Sequence, residues 1–354
     1  MRDVGTRTAG LRSSDARLQG AVPPGVSWLF WRLGAPRVIS SLALFFSLLL
    51  QAGCGVNRSK DQARFRFASA TDALGRTISL REYPTRIVST APSNTEILLA
   101  LGLREKLVGV THFYGSPEKV QGIERVGGYT NPSVEKIVSL KPDIVFAARG
   151  NPRDVIEELR RHGIIVFTLD TKTVPGLLED IHKVAALSGT TDQATRLIAK
   201  IQKDMRAIRQ TTGRLSDDKK PRVLWLAQEE PLRTAGPGSL VDELIRIAGG
   251  KNVAADEKSL WPAYSTEKLL LHDPEVVILG EDKYKNSPNA VAETLDRFRR
   301  DAIWKNISAV GNDRVHYIPT DILGQPSPTF IEGLKMLARH LHPDLFAGRI
   351  GEDK

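Results

Sequence analysis

The sequence predicts an α/β protein with two similar lobes, one long backbone helix that joins them, and a ligand cleft between the lobes. Three observations lead to this fold class. Residues 192–211 carry apolar side chains at helical spacing. Two segments on either side of this helix resemble each other, and each ends in a short apolar run typical of a buried strand. A chain of 354 residues is long enough for two domains of ordinary size.

The connecting segment is predicted to span residues 176–218. Ser188 and Gly189 break a first helical stretch, and Thr190 or Thr191 can cap a second one. That second helix, from about Asp192 to Thr211, would be roughly 30 Å long, which is about the diameter of a small domain. Its apolar stripe consists of Ala194, Leu197, Ile198, Ile201, Met205 and Ile208.

The two flanking segments, residues 133–145 and 265–277, align without gaps. Each predicts a short helix, a proline break and a buried strand, at 144–147 and 276–279. A single match of this kind can also be a common local motif. The repeat is favoured because each unit continues into more helix and another apolar strand, at 164–169 and 315–319. Five columns are identical, namely Ser133/Ser265, Glu135/Glu267, Lys136/Lys268, Pro142/Pro274 and Val145/Val277.

The repeat places an N-terminal lobe at residues 67–175 and a C-terminal lobe at residues 219–348. The first lobe opens with a hairpin that turns at residues 72–75. A strand, loop and helix follow over 86–102, with Asn94 or Thr95 as the helix cap and Gly102 at its end. A second strand is predicted at 107–110. Further helices are predicted at 240–248 and 329–341.

The N-terminal region predicts export. An uncharged apolar run at 38–50 follows Arg32 and Arg37 and precedes small residues, as in a signal peptide, which we assign to residues 1–53. The run is shorter than the ~20 residues of a membrane span. Residues 52–54 resemble a bacterial lipobox, which implies a lipid on Cys54 and a tether at 54–66. Gln51 departs from the aliphatic residue of that pattern, so conventional cleavage or an uncleaved anchor stays open.

Composition excludes several classes of function. The net charge of +9 is spread along the chain, with no dense Lys/Arg run between aromatics, so we expect no nucleic-acid partner. The seven histidines show no metal-ligand spacing, and the chain has no Gly-x-Ser-x-Gly or His-Glu-x-x-His motif. The single cysteine excludes a disulfide framework. We therefore predict a binding protein without catalysis, cofactor or resident metal.

Aromatic and glycine-rich loops follow several predicted strands. Phe113 comes after the second strand of the first lobe, Tyr129 precedes the first repeat unit, and Trp261 precedes the second. Ligands of open α/β sheets collect at the C-terminal ends of the strands, so these loops are candidates for the cleft wall. The alternative is that these rings are core aromatics beneath a loop.

Several motifs together resemble the helical-backbone substrate-binding proteins of ABC importers. They are TDALGRTISL, RIVSTAPSNTEILLALG, SVEKIVSLKPDIV, GSLVDELIRIAGGKNV and QPSPTFIEGLKMLARHLHP. The resemblance covers about residues 67–346. It implies the two-lobed fold described above, which is class III among periplasmic binding proteins, and a cargo of cobalamin, ferric siderophore or haem. The sequence is most similar to the cobalamin-binding branch.

The resemblance also implies site residues. It assigns ligand contacts to Phe113, Tyr129, Trp261, Asp321, Gln325 and Arg233. Gln325 stands where that branch has an arginine, and Arg233 where it has an aromatic residue. Cobalamin is the predicted cargo, with a ferric siderophore, haem or another metal complex as the alternative. Arg149 and Arg233 would suit an anionic iron complex, and Tyr114 or His112 could be an axial haem ligand.

The resemblance further implies that Glu135 and Glu267 dock the protein onto the transmembrane subunits of an ABC permease, one glutamate per lobe. A glutamate at a helix start is otherwise a favourable helix-dipole charge, which is the alternative for each. We expect an exported monomer in the cell envelope, periplasmic or on the outer surface, attached to the membrane through the lipid on Cys54.

Overall fold

A computed structural model describes residues 68–112, 117–284 and 289–347. The predicted signal peptide, Cys54, the tether and Phe113 lie outside the described residues. The predicted boundaries of the two domains and of the connecting segment stay predictions.

The first lobe is built on a five-stranded parallel sheet behind an antiparallel hairpin. Its strands are β1 Ala68–Thr71, β2 Thr77–Leu80, β3 Ile87–Ser89, β4 Leu107–Val110, β5 Glu124–Arg125, β6 Ile144–Ala148 and β7 Val166–Leu169. Its helices are α1 Pro92–Ala100, α2 Val134–Ser139, α3 Arg153–Arg161 and α4 Val174–Ser188. The hairpin pairs β1 with β2, and the sheet has the order β5-β4-β3-β6-β7. All four strand pairs of that sheet are parallel.

The long helix is α5, Thr191–Thr212, which matches the predicted helix within one residue at each end. Its buried face consists of Ala194, Ile198, Ile201, Met205, Ile208 and Thr212. Thr190 occupies the N-cap position, but its hydroxyl bonds to Ser188 Oγ at 2.9 Å and caps no backbone N–H. Asp204 on this helix pairs with Lys335 at 2.7 Å. The predicted cap is therefore right in position and wrong in its hydrogen bond.

The second lobe repeats this architecture with a four-stranded parallel sheet. Its strands are β8 Arg222–Leu226, β9 Lys251–Asn252, β10 Val276–Leu279 and β11 Val315–Tyr317, in the order β11-β10-β8-β9. Its helices are α6 Leu240–Ile247, α7 Thr266–His272, α8 Ala290–Arg300, α9 Ser308–Gly311, α10 Thr320–Leu323, α11 Phe330–Leu341 and α12 Pro343–Phe346. Within the described ranges, no helix is long and apolar enough to cross a membrane.

The repeat predicted from sequence is confirmed in atomic detail. Ser133 caps α2 by accepting from Lys136 N at 3.3 Å, and Ser265 caps α7 by accepting from Lys268 N at 3.2 Å. Both helices are followed by a residue with positive φ, Lys141 at 46° and Asp273 at 40°.

Two arginines extend the repeat beyond the aligned columns. Arg86 Nε donates to the carbonyls of Leu140 and Lys141, at 3.0 and 3.2 Å. Arg222 Nε donates to those of His272 and Asp273, both at 2.9 Å. Each guanidinium thus satisfies carbonyl groups that its repeat helix leaves unpaired at the C-terminal end.

The predicted N-cap of α1, Asn94 or Thr95, is wrong by three or four residues. The helix begins at Pro92, with Ala91 as its N-cap, because proline fits the first turn of a helix without loss of a hydrogen bond. Asn94 and Thr95 are buried instead, and Asn94 Nδ2 donates to Phe146 O of the sheet at 3.3 Å. The predicted end is confirmed, since Gly102 has a φ of 75°.

Candidate functional site

A cleft lies between the lobes at the C-terminal ends of the strands. Its main part is a cavity of about 420 Å³, lined by the start of α1, the ends of β6 and β7, and the segment after α10. A smaller cavity of about 190 Å³ adjoins it through shared lining residues, Thr171, Gly324 and Pro326, and reaches Trp261. This is the sheet edge at which the sequence predicts the ligand.

Tyr129 contributes the aromatic wall of the first lobe. It is 39% exposed and lines the main cavity. Its hydroxyl lies against the Cα of Gly150, where any β-carbon would come within 1.8 Å of the oxygen. Burial raises the pKa of this hydroxyl above its ordinary value, while the Gly150 N–H acts in the opposite direction. A neutral phenol is therefore held at the cleft wall.

Asn151 fixes the loop that carries Tyr129. Its Nδ2 donates to Tyr129 O at 2.7 Å and to Thr90 O at 2.9 Å. Its Oδ1 accepts from Thr90 Oγ1 at 2.7 Å and from Ala148 N at 2.8 Å. The side chain is buried, so each bond is made away from water. Asn151 thus ties the aromatic loop to the ends of β3 and β6.

Trp261 contributes an aromatic wall from the second lobe. It is 42% exposed and lines the smaller cavity. Its loop runs antiparallel to residues 233–236, because Thr234 N donates to Pro262 O at 3.2 Å and Gly236 N donates to Leu260 O at 2.9 Å. The ring packs on the buried Trp225 of β8, with centroids 5.6 Å apart. The exposed tryptophan is therefore supported by backbone pairing and by a core ring.

Arg233 lies behind this wall. Its Nη1 donates to Trp261 O at 3.2 Å, and it forms backbone bridges to Gln228 and Ala263. It is not among the residues that line the two cavities. The arrangement makes Arg233 a support for the tryptophan loop, and its predicted contact with the ligand stays a prediction.

Gln325 and Asp321 differ in their positions. Gln325 lines the main cavity, and its Nε2 is buried without a hydrogen-bond partner among the described residues. Asp321 lies on α10, does not line either cavity, and accepts a bond at its backbone oxygen from Thr329 Oγ1 at 3.3 Å. Gln325 thus belongs to the lining of the main cavity, whereas Asp321 lies outside the lining of both cavities.

The neighbour of Asp321 in the first lobe is a buried carboxyl group, Glu96 of α1. Burial raises the pKa of Glu96 above its ordinary value. The carboxylates of Asp321 and Glu332 act in the same direction, and Lys119, at 3.9 Å, opposes them. The predicted polar residue Asp321 is therefore coupled electrostatically to the first lobe.

Two cations and one carboxylate line the first-lobe side of the cleft. Asp170 Oδ2 pairs with Arg149 Nη1 at 3.3 Å and with Lys172 Nζ at 3.0 Å. Because one carboxylate faces two cations, this wall carries a net positive charge. Among the described residues, no group of three His, Cys, Asp or Glu side chains is placed to hold a metal ion.

Glu135 and Glu267 lie at matching positions near the starts of α2 and α7. Both are exposed, and neither forms an ion pair with a described residue. The lysine that follows each one is paired, Lys136 with Glu124 and Lys268 with Glu257. The Glu267 backbone N–H and the Ser265 hydroxyl lower the pKa of Glu267 below its ordinary value. The repeat thus presents, in each lobe, one exposed carboxylate that forms no ion pair with a described residue.

Residues 87–322 match the Periplasmic binding protein family. The chain belongs to this family. An uncharacterized ABC transporter substrate-binding lipoprotein of Bacillus subtilis, YvrC, is 29% identical over 86% of this chain and 96% of its own length. The crystal structure of the vitamin B12 binding protein BtuF of Vibrio cholerae superposes with a TM-score of 0.61 at 27% identity. That match covers 73% of this chain and 97% of BtuF.

A second similar structure is that of the heme-binding protein RhuT from Roseiflexus sp. RS-1. Its TM-score is 0.64 at 25% identity, over 73% of this chain and 98% of RhuT. These relatives confirm the predicted family and fold class. They also confirm that this periplasmic binding protein is an ABC-transporter substrate-binding component and not an enzyme. Its localisation is extracytoplasmic, and its partners are a small-molecule ligand and permease subunits.

Sequence analysis missed two residues that shape the site. Trp225 lies within the run RVLWL, whose uniform apolarity predicts a strand without showing which side chain reaches the cleft. Asn151 lies in the loop after β6, and three of its four hydrogen bonds depend on Thr90 and Tyr129, which are distant in sequence. The signal that the sequence offers for Asn151 is its position, three residues after the end of β6 at the edge of the sheet where ligands collect.

Proposed function

We propose that this protein captures cobalamin or a related corrinoid in the cleft and delivers it to an ABC permease. The observation that carries the proposal is the pair of half-exposed aromatic rings, Tyr129 and Trp261, which come from opposite lobes and line adjoining cavities. A corrin ring has broad apolar faces, and aromatic side chains bind such faces through area and ring stacking.

The polar groups of the cleft support the same cargo. Ser93, Thr171, Thr320 and Gln325 all line the main cavity, and they present neutral donors and acceptors. The corrin rim carries neutral amides, which hydrogen-bond to such groups. The vitamin B12 binding protein of Vibrio cholerae has a similar fold and 27% identity.

Haem is the second candidate cargo, and the cationic wall of the first lobe favours it. Arg149 and Lys172 share a single carboxylate, Asp170, so they can attract anionic groups such as haem propionates. The same wall would accept a ferric siderophore with negative charge.

Delivery to the permease rests on the two exposed carboxylates. Glu135 and Glu267 occupy equivalent positions in the two lobes, which suits a pair of cationic groups on two similar permease subunits. The proposal also includes a lipid on Cys54 after removal of residues 1–53, attachment to the membrane through residues 54–66, and a monomeric state.

A cargo competition tests the proposal. The purified protein is titrated with cyanocobalamin, haem and a ferric siderophore, and the tryptophan fluorescence, to which Trp225 and Trp261 at the cleft contribute, is followed. We expect cyanocobalamin to quench the fluorescence saturably. At equal concentration, neither haem nor the siderophore should displace the bound cyanocobalamin. Displacement by haem or by the siderophore would keep the transport function and change the cargo, and saturation by none of the three would refute all three assignments.

A further inference from the structure

The repeat helix of the second lobe exposes two leucines beside its exposed carboxylate. Leu271 of α7 is 78% exposed and Leu270 is 43% exposed, whereas Leu269 is fully buried. Residues three and four apart share a helix face, so Glu267, Leu270 and Leu271 form one stripe. We call these three residues the α7 stripe.

The first lobe has no such stripe at the equivalent position. The gapless alignment pairs Leu270 with Val138, which is half-buried, and Leu271 with Ser139, which is exposed. The hydroxyl of Ser139 donates back to Lys136 O at 2.7 Å, inside its own helix. The two lobes therefore share the carboxylate and differ in the apolar surface beside it.

The surface next to Leu271 is an open groove of about 730 Å³ at the N-terminal edge of the second sheet. The basic residues of its rim are paired within the protein. Arg222 lies 3.3 Å from Glu275 and 3.6 Å from Asp273, and Lys251 lies 2.7 Å from Asp217. Because Arg222 and Lys251 are already paired, the exposed side chain of Leu271 is what the α7 stripe contributes to this groove, and Glu267 does not line it.

We propose that the α7 stripe is an apolar docking contact for the transmembrane permease, so that the two lobes dock with unequal strength. The inference rests on the proposed function. The occupant follows from continuity, because Glu267 is a docking residue of the proposed function and the leucines begin one helical turn beyond it on the same face. The permease surface that meets the second lobe combines a cationic side chain with an apolar patch that covers the two leucines.

Unequal contacts predict a specific dependence of permease affinity on salt concentration. Raising ionic strength from roughly 0.1 to 1 M shortens the Debye length from ~10 to ~3 Å, so an exposed glutamate contact weakens. Burial of leucine does not depend on such screening. The second lobe therefore holds the permease at high salt, and the first lobe contributes mainly at low salt.

The test exchanges the leucines for their first-lobe counterparts. The full-length variant Leu270→Val/Leu271→Ser is compared with the wild-type chain for binding to nanodiscs that contain the ABC permease subunits co-purified with the wild type. We expect affinity to fall roughly tenfold or more at both salt concentrations, because most of one leucine side chain and a methylene of the other no longer become buried. Cargo affinity and melting temperature should not change. Leu74→Ser is the matched control, since Leu74 is 43% exposed on the hairpin turn, and it should bind like the wild type.

Unchanged permease affinity in the leucine variant would overturn the inference. Two further results would also overturn it. In the first, the leucine variant loses as much binding to nanodiscs without permease as to nanodiscs with it, which would mean that the stripe contacts the lipid bilayer. In the second, the wild type is a dimer and the leucine variant is a monomer, which would mean that the stripe contacts a second copy of the chain. If Glu135→Arg/Glu267→Arg abolishes permease binding while the leucine variant retains it, only this inference fails. If the wild type binds cargo but no permease, the docking part of the proposed function fails as well.

Discussion

Trp225 packs against Trp261 with ring centroids 5.6 Å apart and planes inclined by 54°. The first ring is 2% exposed and the second is 42% exposed, so a core residue of β8 supports an exposed residue of the cleft. Gly280 and Gly324 border Trp225, and a β-carbon on Gly324 would lie 2.7 Å from the indole ring. The cleft wall of the second lobe is therefore an extension of the core of that lobe.

Replacement of Trp225 by leucine should weaken cargo binding although the residue is buried. Without the lower ring, Trp261 loses its support, and we expect roughly tenfold weaker binding together with a loss of about 2–4 kcal/mol in the free energy of unfolding. Trp225→Phe should retain most of the cargo affinity and most of the free energy of unfolding. Calorimetric titration and urea unfolding measure the two quantities. Full cargo affinity in the leucine variant would show that Trp261 needs no support from Trp225.

Gly150→Ala should disturb the opposite wall. The new methyl group would come within 1.8 Å of the Tyr129 hydroxyl, so the ring has to move, and we expect cargo affinity to fall about tenfold or more. Gly311→Ala is the matched control, because a β-carbon there meets no atom within 4 Å. Equal cargo affinities for the two variants would contradict the placement of Tyr129 at the ligand.

Asn151→Ala removes four hydrogen bonds that join the Tyr129 loop to the sheet. Each buried partner left without its bond costs about 1–3 kcal/mol, so we expect a loss of several kcal/mol in the free energy of unfolding and weaker cargo binding. Asn312→Ala, which loses an exposed bond at the end of α9, should cost under about 1 kcal/mol. Denaturant unfolding compares them, and similar losses would exclude a special role of Asn151.

Acid should destabilise the second lobe through two stacked histidines. The rings of His316 and His340 are 4.2 Å apart, and Arg314 donates to His340 O at 3.1 Å. Burial, then the charges of His316 and Arg339, lower the pKa of His340 to about 4, and burial also lowers the pKa of His316.

A lowered histidine pKa means that the unfolded chain binds protons more readily than the folded protein between pH 6.5 and 4. Stability therefore falls as pH decreases through this window, by on the order of 3 kcal/mol at most for His340. His340→Phe should reduce the acid-dependent loss, which urea unfolding at pH 7 and pH 5 measures. The same pH slope in wild type and variant would refute this assignment.

The double variant Glu135→Arg/Glu267→Arg should separate cargo binding from delivery. Neither carboxylate lies at the cleft or forms an ion pair with a described residue, so we expect unchanged cargo affinity. Uptake of cargo by cells should be lost, because reversed charges repel cationic docking groups. Reduced cargo affinity in the variant would mean that these residues serve the fold instead.

The parts of the fold that depend on local pattern could be predicted from sequence. Helix α5 follows from the spacing of its apolar residues, and the repeat follows from its serine caps, glutamates and prolines. The start of α1 was misplaced because Asn94 and Thr95 are good capping residues, yet burial against the sheet determines their position. At that helix, tertiary packing outweighs the local capping preference of these two residues.

The site was predictable only in part. Tyr129 and Trp261 line the cleft, as their loop positions suggest, and so does Gln325, which only the family resemblance implied. Arg233 bonds to the tryptophan loop, and Asp321 lies behind the cleft wall, because the pairing of residues 233–236 with 260–263 and the placement of α10 arise from contacts between distant segments. The support from Trp225 has the same origin, since it requires a strand of the core to meet a loop.

The central claim is that a corrinoid binds between the aromatic walls of the two lobes. Its most direct test is calorimetric titration with cyanocobalamin of the wild-type protein and of Tyr129→Ala/Trp261→Ala. We predict saturable one-to-one binding by the wild type and affinity reduced at least a hundredfold in the variant, with its melting temperature nearly unchanged because both rings are half-exposed. Equal affinity in the two proteins, or no heat of binding in the wild type, would contradict the account.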